Sequence, residues 1–506
     1  MSSELAVPAA RRRTPHKNSV NGCRTCKDRH IKCDETRPVC HRCSKSRLEC
    51  GGFTAPVTHG HRKCRKKFAI VLHPLSGPQK PFLIEPSDPS GQEHLNFFFI
   101  ETAPLLNSVL HLDLWKNIAA RATTAESALR ESIIALSWQH QIYAQSVSGI
   151  DDSSTILAGS QAYLRAISAL HSSLSIADFN TELALQSCLL LIIVESLRKN
   201  QPALLVHLRA GLSIIKTNAI SDKVLTAFYG VGVSTLLNNH DVSTFHLLEE
   251  TILTRTHDFR PHLSLRDLSC NVTTLIVEVY RYCSQGILDD DALSTLGTIQ
   301  SKESLLRRIA DLEAYNNASQ AGTDEQQRFK VLLMARLLIA GVMVKCSVTR
   351  CQTSYDLYHN EFLQAVRLCA VYLGNKRRND FFTINSGIIA TLNLIAMLCR
   401  DKSIRLETLK LLSLCPRHDG PWDAQATYNL VHAVISFEEN RAPELGDQIT
   451  IPDEARVYIV LPEAYSETLM PHSLKVLYKP ATCTGFAIEE ILVRNLVGNT
   501  NTLCDR

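Results

Sequence analysis

Along most of this chain the apolar residues recur with a helical period. Leu129, Ile133, Leu136 and His140 fall at i, i+4, i+7 and i+11, and Leu204, Leu205, Leu208, Leu212 and Ile215 make a second stripe. Such spacings put residues on one helix face and predict amphipathic helices packed on a core. The run Cys188–Val194, between Gln186 and Glu195, is apolar on every side, and Val331–Val344 is apolar but for residues such as Arg336. Both fall short of the roughly 20 apolar residues that span a bilayer, so they predict buried helices and no membrane partner. Alternating β-type patterns come late, at Arg456–Val460 and Leu474–Tyr478, and predict a small terminal hairpin. The expected fold class is mainly α, a small module followed by a large all-helical domain.

The helical texture starts only after about residue 91. Between Gly51 and Gly91 the chain carries Pro56, Pro74, Pro78, Pro81, Pro86 and Pro89. Proline at this density forbids the three or four uninterrupted heptads of a coiled coil, so this stretch predicts a linker rather than a dimer seam. The apolar run Phe68–Leu72 within it reads as a segment docking on the helical domain. The expected organisation is a basic tail over 1–20, a compact module over 21–52, a basic Pro/Gly-rich linker over 53–91 and a helical domain over 92–506.

The module is defined by six cysteines spaced C-x2-C-x6-C-x6-C-x2-C-x6-C: Cys23, Cys26, Cys33, Cys40, Cys43 and Cys50. Each C-x2-C lets two thiolates converge on one soft cation from a single tight turn. One tetrahedral zinc needs four ligands and each half supplies three. Two zinc ions need eight ligand positions, which six thiolates fill if two of them bridge. A disulfide framework is the bland reading, but it needs an oxidising compartment, and Met1–Pro8 shows no apolar signal core.

The run Cys23-Arg24-Thr25-Cys26-Lys27-Asp28-Arg29-His30-Ile31-Lys32-Cys33-Asp34, followed by Pro38-Val39-Cys40-His41-Arg42-Cys43, resembles the fungal binuclear zinc-cluster transcription factors. That resemblance implies that Cys23 and Cys40 bridge the metals and that a short helix follows each C-x2-C. It also implies that the first helix enters the major groove and reads a CGG-type triplet. By position, Lys27 and Lys32 then meet phosphates, and Arg29 and His30 lie where base contacts are made. His30 stands where Lys or Arg is commoner. Arg42 and Lys45 complete the candidate DNA contacts.

Charge is segregated in the same sense. Residues 1–67 hold 17 Lys or Arg against 5 Asp or Glu, a balance of +12, while the remainder carries −8. Within 23–50 eight basic and four acidic residues, six thiolates and two zinc ions leave about +2. The flanks Arg11–Arg13 and Arg62–Lys67 therefore supply much of the attraction to phosphate, and they double as nuclear-localisation candidates. Cys64, between Lys63 and Arg65, would sit in a thiolate-favouring setting if exposed.

The later region resembles the fungal-specific transcription-factor domain, in the branch common among regulators of catabolism and secondary metabolism. The residues that carry this are Phe97-Phe98-Phe99, Thr102-Ala103-Pro104, Trp115, Cys188 with Glu195, and His207–Leu212. Cys399-Arg400-Asp401 with Arg405, and Arg417–Asp423, extend the match through most of 92–445, apart from 216–325. It implies an all-helical regulatory region with a homodimer and co-regulators among its partners. No phosphate loop, dinucleotide fingerprint, H-E-x-x-H helix or G-x-S-x-G elbow is present, and the pairs His240-Asp241 and His418-Asp419 read as surface or capping pairs, so an enzyme is not expected. The reading is a nuclear regulator that binds double-stranded DNA with two zinc ions. A zinc-dependent protein-interaction adaptor, whose basic helix meets an acidic partner, is the alternative.

Overall fold

The computed structural model describes residues 23–29, 31–52, 89–106, 114–115, 118, 127–149, 152–175, 180–239, 242–253, 264–288, 296–347, 351–374, 382–383, 387–442, 444–445, 448–449, 451–461, 473–480 and 486–493. His30, the flanking basic runs, Cys64, Phe68–Leu72 and His240-Asp241 lie outside them. The chain divides into two compact units, 1–69 and 70–506.

In the first unit two five-residue helices, α1 (Arg24–Asp28) and α2 (His41–Lys45), repeat one local design. Cys23 and Cys40 stand in extended conformation at the two N-caps, and each sulfur accepts the amide of the second cysteine of its C-x2-C. The end of the module is tied back to α1. The Arg24 amide donates to the Gly52 carbonyl (3.0 Å), and Thr25 Oγ1 donates to the Glu49 carbonyl and accepts the Gly51 amide, both at 2.9 Å. Its interior is the cysteines themselves, with Ile31 and Cys50 against them. So small an apolar interior cannot hold a fold without a staple.

The second unit opens with α3 (Pro89–Phe97), which runs through a π-helical turn (Phe98–Thr102) into α4 (Ala103–Leu106). Long helices come next: α5 (Ser127–Val147), α6 (Ser153–Leu174), α7 (Thr181–Leu197), α8 (Gln201–Thr217), α9 (Asp222–Asn239) and α10 (Val242–Leu253). After these stand α11 (Leu265–Leu288), α12 (Leu296–Ala318) and α13 (Asp324–Cys346), a 3-10 turn (Gln352–Tyr358), and α14 (His359–Leu373). The series closes with α15 (Ile388–Leu398), α16 (Lys402–Leu414) and α17 (Ala424–Glu439).

Local chemistry starts many of these helices: Asp152, Asn180, Asn200, Thr323, Asp401 and Asp423 cap with their side chains, and Pro202 sits in the first turn of α8. The stripe of α5 is buried as its period requires, and α7 is buried throughout Ala184–Leu197, matching its all-round apolar sequence. No helix among the described residues is long and apolar enough to cross a membrane.

Three small sheets among the described residues complete this unit's frame. β1 (Phe382–Thr383) pairs parallel with β2 (His418–Asp419), which pairs antiparallel with β3 (Trp422–Asp423). His418 and Asp419 are thus buried in a strand, not at the surface or a cap as the sequence suggested, because β2 lies between β1 and β3 and the Tyr143 ring of α5 packs on His418. A further two-residue pair, β4 (Glu444–Leu445) with β5 (Gln448–Ile449), precedes the C-terminal sheet. There β6 (Val457–Leu461) and β7 (Ser473–Tyr478) form the expected hairpin, and β8 (Ala487–Leu492) adds a third antiparallel strand. The segment Ala-Ile-Glu-Glu-Ile-Leu of β8 has helix-type composition, so only its pairing along β7 makes it a strand. Val457, Leu474, Val476 and Ile491 pack on Val434 and Phe437 of α17.

Beneath that sheet lies a buried ion cluster. Glu438 accepts from Arg400 (2.9 Å), from Arg405 and from the Val457 amide (2.8 Å), and Arg400 also donates to the carbonyls of Leu398 and Val457. The cluster clamps α16, α17, β6 and the turn before α16. Arg456 adds a fork to Asp356.

Candidate metal centre and nucleic-acid interface

The two C-x2-C turns bring four sulfurs, those of Cys23, Cys26, Cys40 and Cys43, within 4.8 Å of one another, all buried. Cys23 and Cys40 are 3.5 Å apart, Cys23 and Cys43 3.7 Å, Cys26 and Cys40 3.7 Å, and Cys26 and Cys43 3.9 Å. The shortest separation joins the two N-cap cysteines, and the longest joins the two that sit inside the helices. Cys33 accepts the backbone amides of Cys23 and Glu35, both at 3.4 Å, which holds it against the same cluster, and Cys50 closes it from the C-terminal side.

Burial opposes ionisation of these sulfurs. It drives the Cys23 thiol far up and the Cys26 thiol to about 12. At Cys40 burial acts the same way, but the Cys43 amide and the thiols of Cys43, Cys23 and Cys26 outweigh it and hold that thiol at about 6. A buried knot of soft sulfurs with no apolar core around it fits a thiophilic cation, which would supply the positive charge that favours thiolates there. All described cysteines are free thiols.

The basic side chains sit on the outside of this knot. Lys27 and Arg29, on and just after α1, and Lys32 in the following segment are exposed, as are Arg42 and Lys45 on α2. The structure thus brings the six cysteines together and turns five of the six candidate DNA contacts to solvent, with His30 outside the described residues.

Asp34 caps the start of α2, a positioning role that spacing arguments overlooked. Its carboxylate accepts the amides of His41 (3.1 Å) and Arg42 (2.9 Å) at the start of α2, together with the Thr36 amide and hydroxyl. The Thr36 hydroxyl first, and then these amides, hold it far below the usual carboxylate range. The signal was an acidic residue directly after the third cysteine, seven positions before α2, a distance that no capping rule covers.

In the helical unit the residues that carried the second resemblance are scaffold. Asp401 caps α16, Arg400 and Arg405 bind Glu438, and the Trp422 indole donates to the Ser234 carbonyl (2.9 Å). Asp423 caps α17 and pairs with Lys199 and Arg417, both at 3.3 Å. Tyr163 bonds His207 (3.0 Å), and burial lowers the His207 and His418 pKa values to about 4, so both rings are neutral.

The model of the fungal Zn(2)-Cys(6) binuclear cluster domain matches residues 21–60. The chain carries that domain. Domains of this kind hold two zinc ions, and the sulfur cluster fits them. Sterol uptake control protein 2 of Candida albicans is 52% identical over 46 residues, 9% of this chain and 6% of that protein. The Zn(2)-C6 fungal-type transcription factor afumD of Aspergillus fumigatus is 28% identical over 137 residues, 25% of this chain and 34% of its own. The aspercryptin biosynthesis cluster-specific transcription regulator atnN of Emericella nidulans is 26% identical over 215 residues, covering 39% of this chain and 34% of that one. The matches span about a third or less of these relatives' lengths. No solved structure matches the chain.

Proposed function

We propose that the protein is a nuclear, sequence-specific DNA-binding regulator of RNA polymerase II genes, and not an enzyme. The observation that carries this reading is the zinc-cluster module itself, a thiolate knot whose outer face bears Lys27, Arg29, Lys32, Arg42 and Lys45. Cys23, Cys26, Cys33, Cys40, Cys43 and Cys50 are the ligands, with Cys23 and Cys40 as the bridges. The sulfur separations support that assignment, since bridges at Cys23 and Cys40 leave Cys26 and Cys43, the most distant of the four pairs, without a shared metal. Zinc supplies the positive charge that holds six thiolates together.

The chain's own residues do the reading. Lys27 and Lys32 neutralise phosphates, Arg29 and His30 reach base edges of a CGG-type triplet, and Arg42 and Lys45 add backbone contacts from α2. Residues 92–506 act as a regulatory domain of the fungal-specific type, pairing two copies and meeting co-regulators. Catabolic or secondary-metabolism genes are the targets, and one relative named as the regulator of a biosynthesis cluster supports the latter.

The test is competition binding of the full chain to duplexes with and without a CGG triplet, across a salt series. Specific binding should keep a preference for one triplet after the salt-dependent part is removed. Arg29→Ala should cost about 1–3 kcal/mol at one base, whereas Lys32→Ala should weaken all duplexes alike and lower the salt slope by about 1. Binding with no triplet preference at any salt would instead make this the adaptor that contacts an acidic protein surface.

A further inference from the structure

Helix α6 presents a long outer face that no charge interrupts. Of its 22 residues only Arg165 carries a fixed charge, and that side chain turns aside to pair with Glu131 of α5 at 3.3 Å. The inner face, with Gly159, Ala162, Ala166, Ala169 and Leu170, is buried, and a Cβ at Gly159 would meet Trp138 and Ile142 of α5. Opposite it, Leu157 is 61% exposed, Ile156 45% and Leu164 38%, with Gln161 and Ser168 exposed beside them. Leu157, Gln161, Leu164 and Ser168 fall at i, i+4, i+7 and i+11, so they form one stripe along the helix. A helix face turned to water ordinarily carries charge among its apolar residues. On α16 exposed Leu406 and Leu414 stand among Lys402 and Lys410, and on β8 exposed Ile488 stands beside Glu490. The stripe of α6 has no such residue.

The surface broadens onto a second helix. Tyr163 of α6 bonds His207 of α8 at 3.0 Å, and the Arg198 guanidinium lies 4.9 Å over the Tyr163 ring, so α6 and α8 run close together there. Val206, next to His207, is exposed too, and Ala203 and Ala210 are half-buried. A helix of this length spans about 33 Å, and two neighbouring helices make a strip about 20 Å wide. That is roughly 660 Å² on one copy. Two such faces together would bury roughly 1,300 Å², inside the range of specific protein interfaces.

We propose that this face pairs with the same face of a second copy, α6 crossing α6 antiparallel about a two-fold axis between Ser160 and Gln161. A two-fold axis sets a surface against itself, so a charged face would repel its own copy, whereas an uncharged apolar face meets no such penalty. The missing charge equally leaves a basic or acidic partner nothing to pair with. Centred there, the crossing sets Leu157 against Leu164 of the other copy, twice over, with the short Ser160 side chain where the backbones come closest. The inference rests on the reading that residues 92–506 pair two copies, and it names the surface that does so.

Sedimentation equilibrium of the zinc-loaded full chain tests it, with circular dichroism as the check on folding. The natural chain should pass from monomer to dimer at micromolar concentration. Leu157→Glu and Leu164→Glu should each weaken the dimer at least about tenfold, because each places two carboxylates in an apolar contact. Leu157→Glu combined with Leu164→Lys in one chain should recover most of that loss, since both cross-contacts then join opposite charges. Leu357→Glu, at an exposed apolar residue of the turn before α14, should change the constant by less than about twofold. A natural chain still monomeric at about 100 µM would overturn this surface together with the pairing of two copies. A dimer that survives both single glutamate variants, or single variants that the double variant fails to rescue, would overturn the α6 surface alone. Zinc content and binding to a single-triplet duplex should be the same in all these proteins, which keeps a failure here distinct from a failure of the zinc-cluster reading.

Discussion

Replacing Glu438 by glutamine probes the ion cluster that joins the last helices to the C-terminal sheet. The carboxylate is fully buried, and Arg400 and Arg405 are 8% and 2% exposed, so water screens none of the three. Glutamine keeps the shape and one acceptor for the Val457 amide, but it leaves two buried guanidinium groups without a counter-charge and turns an amide toward one of them. Removing one partner of a buried ion pair costs about 3–5 kcal/mol. Glu438→Gln should therefore lose that much in urea denaturation of the full chain followed by far-UV circular dichroism, with zinc content unchanged because the metal lies in the other unit.

The same carboxylate gives a pH signature. Burial alone would raise its pKa, but Arg400 and Arg405 overcome that and depress it. A depressed carboxylate contributes stability above its unfolded value, near 4.3, and loses it as pH falls toward the native value. The urea midpoint of the natural protein should thus drop on acidification below about pH 4.3, and the variant should drop less. A loss under about 1 kcal/mol at pH 7, or an unchanged acid dependence, would refute the argument that this cluster carries the junction.

Packing and metal geometry give two further outcomes. The full chain should hold two zinc ions, Cys23→Ser or Cys40→Ser should weaken retention of both, and Cys26→Ser should release mainly one; metal analysis after gel filtration reads this, and a single zinc in the folded natural protein excludes the bridged cluster. Gly211→Ala would drive its Cβ into the Phe228 ring. That overpacking between α8 and α9 should cost about 1–3 kcal/mol in the same urea assay, and a neutral result would mean that the Phe228 ring has room to move.

What the sequence determined by itself was local. Cysteine spacing encodes a metal site because both C-x2-C pairs converge within one helical turn each, and the close group of Cys23, Cys26, Cys40 and Cys43 was legible for that reason. Apolar periodicity likewise marked α5, α7, α8 and α13, because a helix face is a property of neighbouring residues. Capping by Asp34 across seven residues, the strand identity of β8 and the burial of His418 and Asp419 were invisible, since each depends on a partner supplied by a distant segment. Arg336 shows the boundary most plainly. In the sequence it was one charge interrupting an apolar run; only the packing of α13 and α15 set its guanidinium beside the start of another helix. Periodicity says which side of a helix is covered, but tertiary structure decides what covers it, and what a charge within an apolar run comes to face.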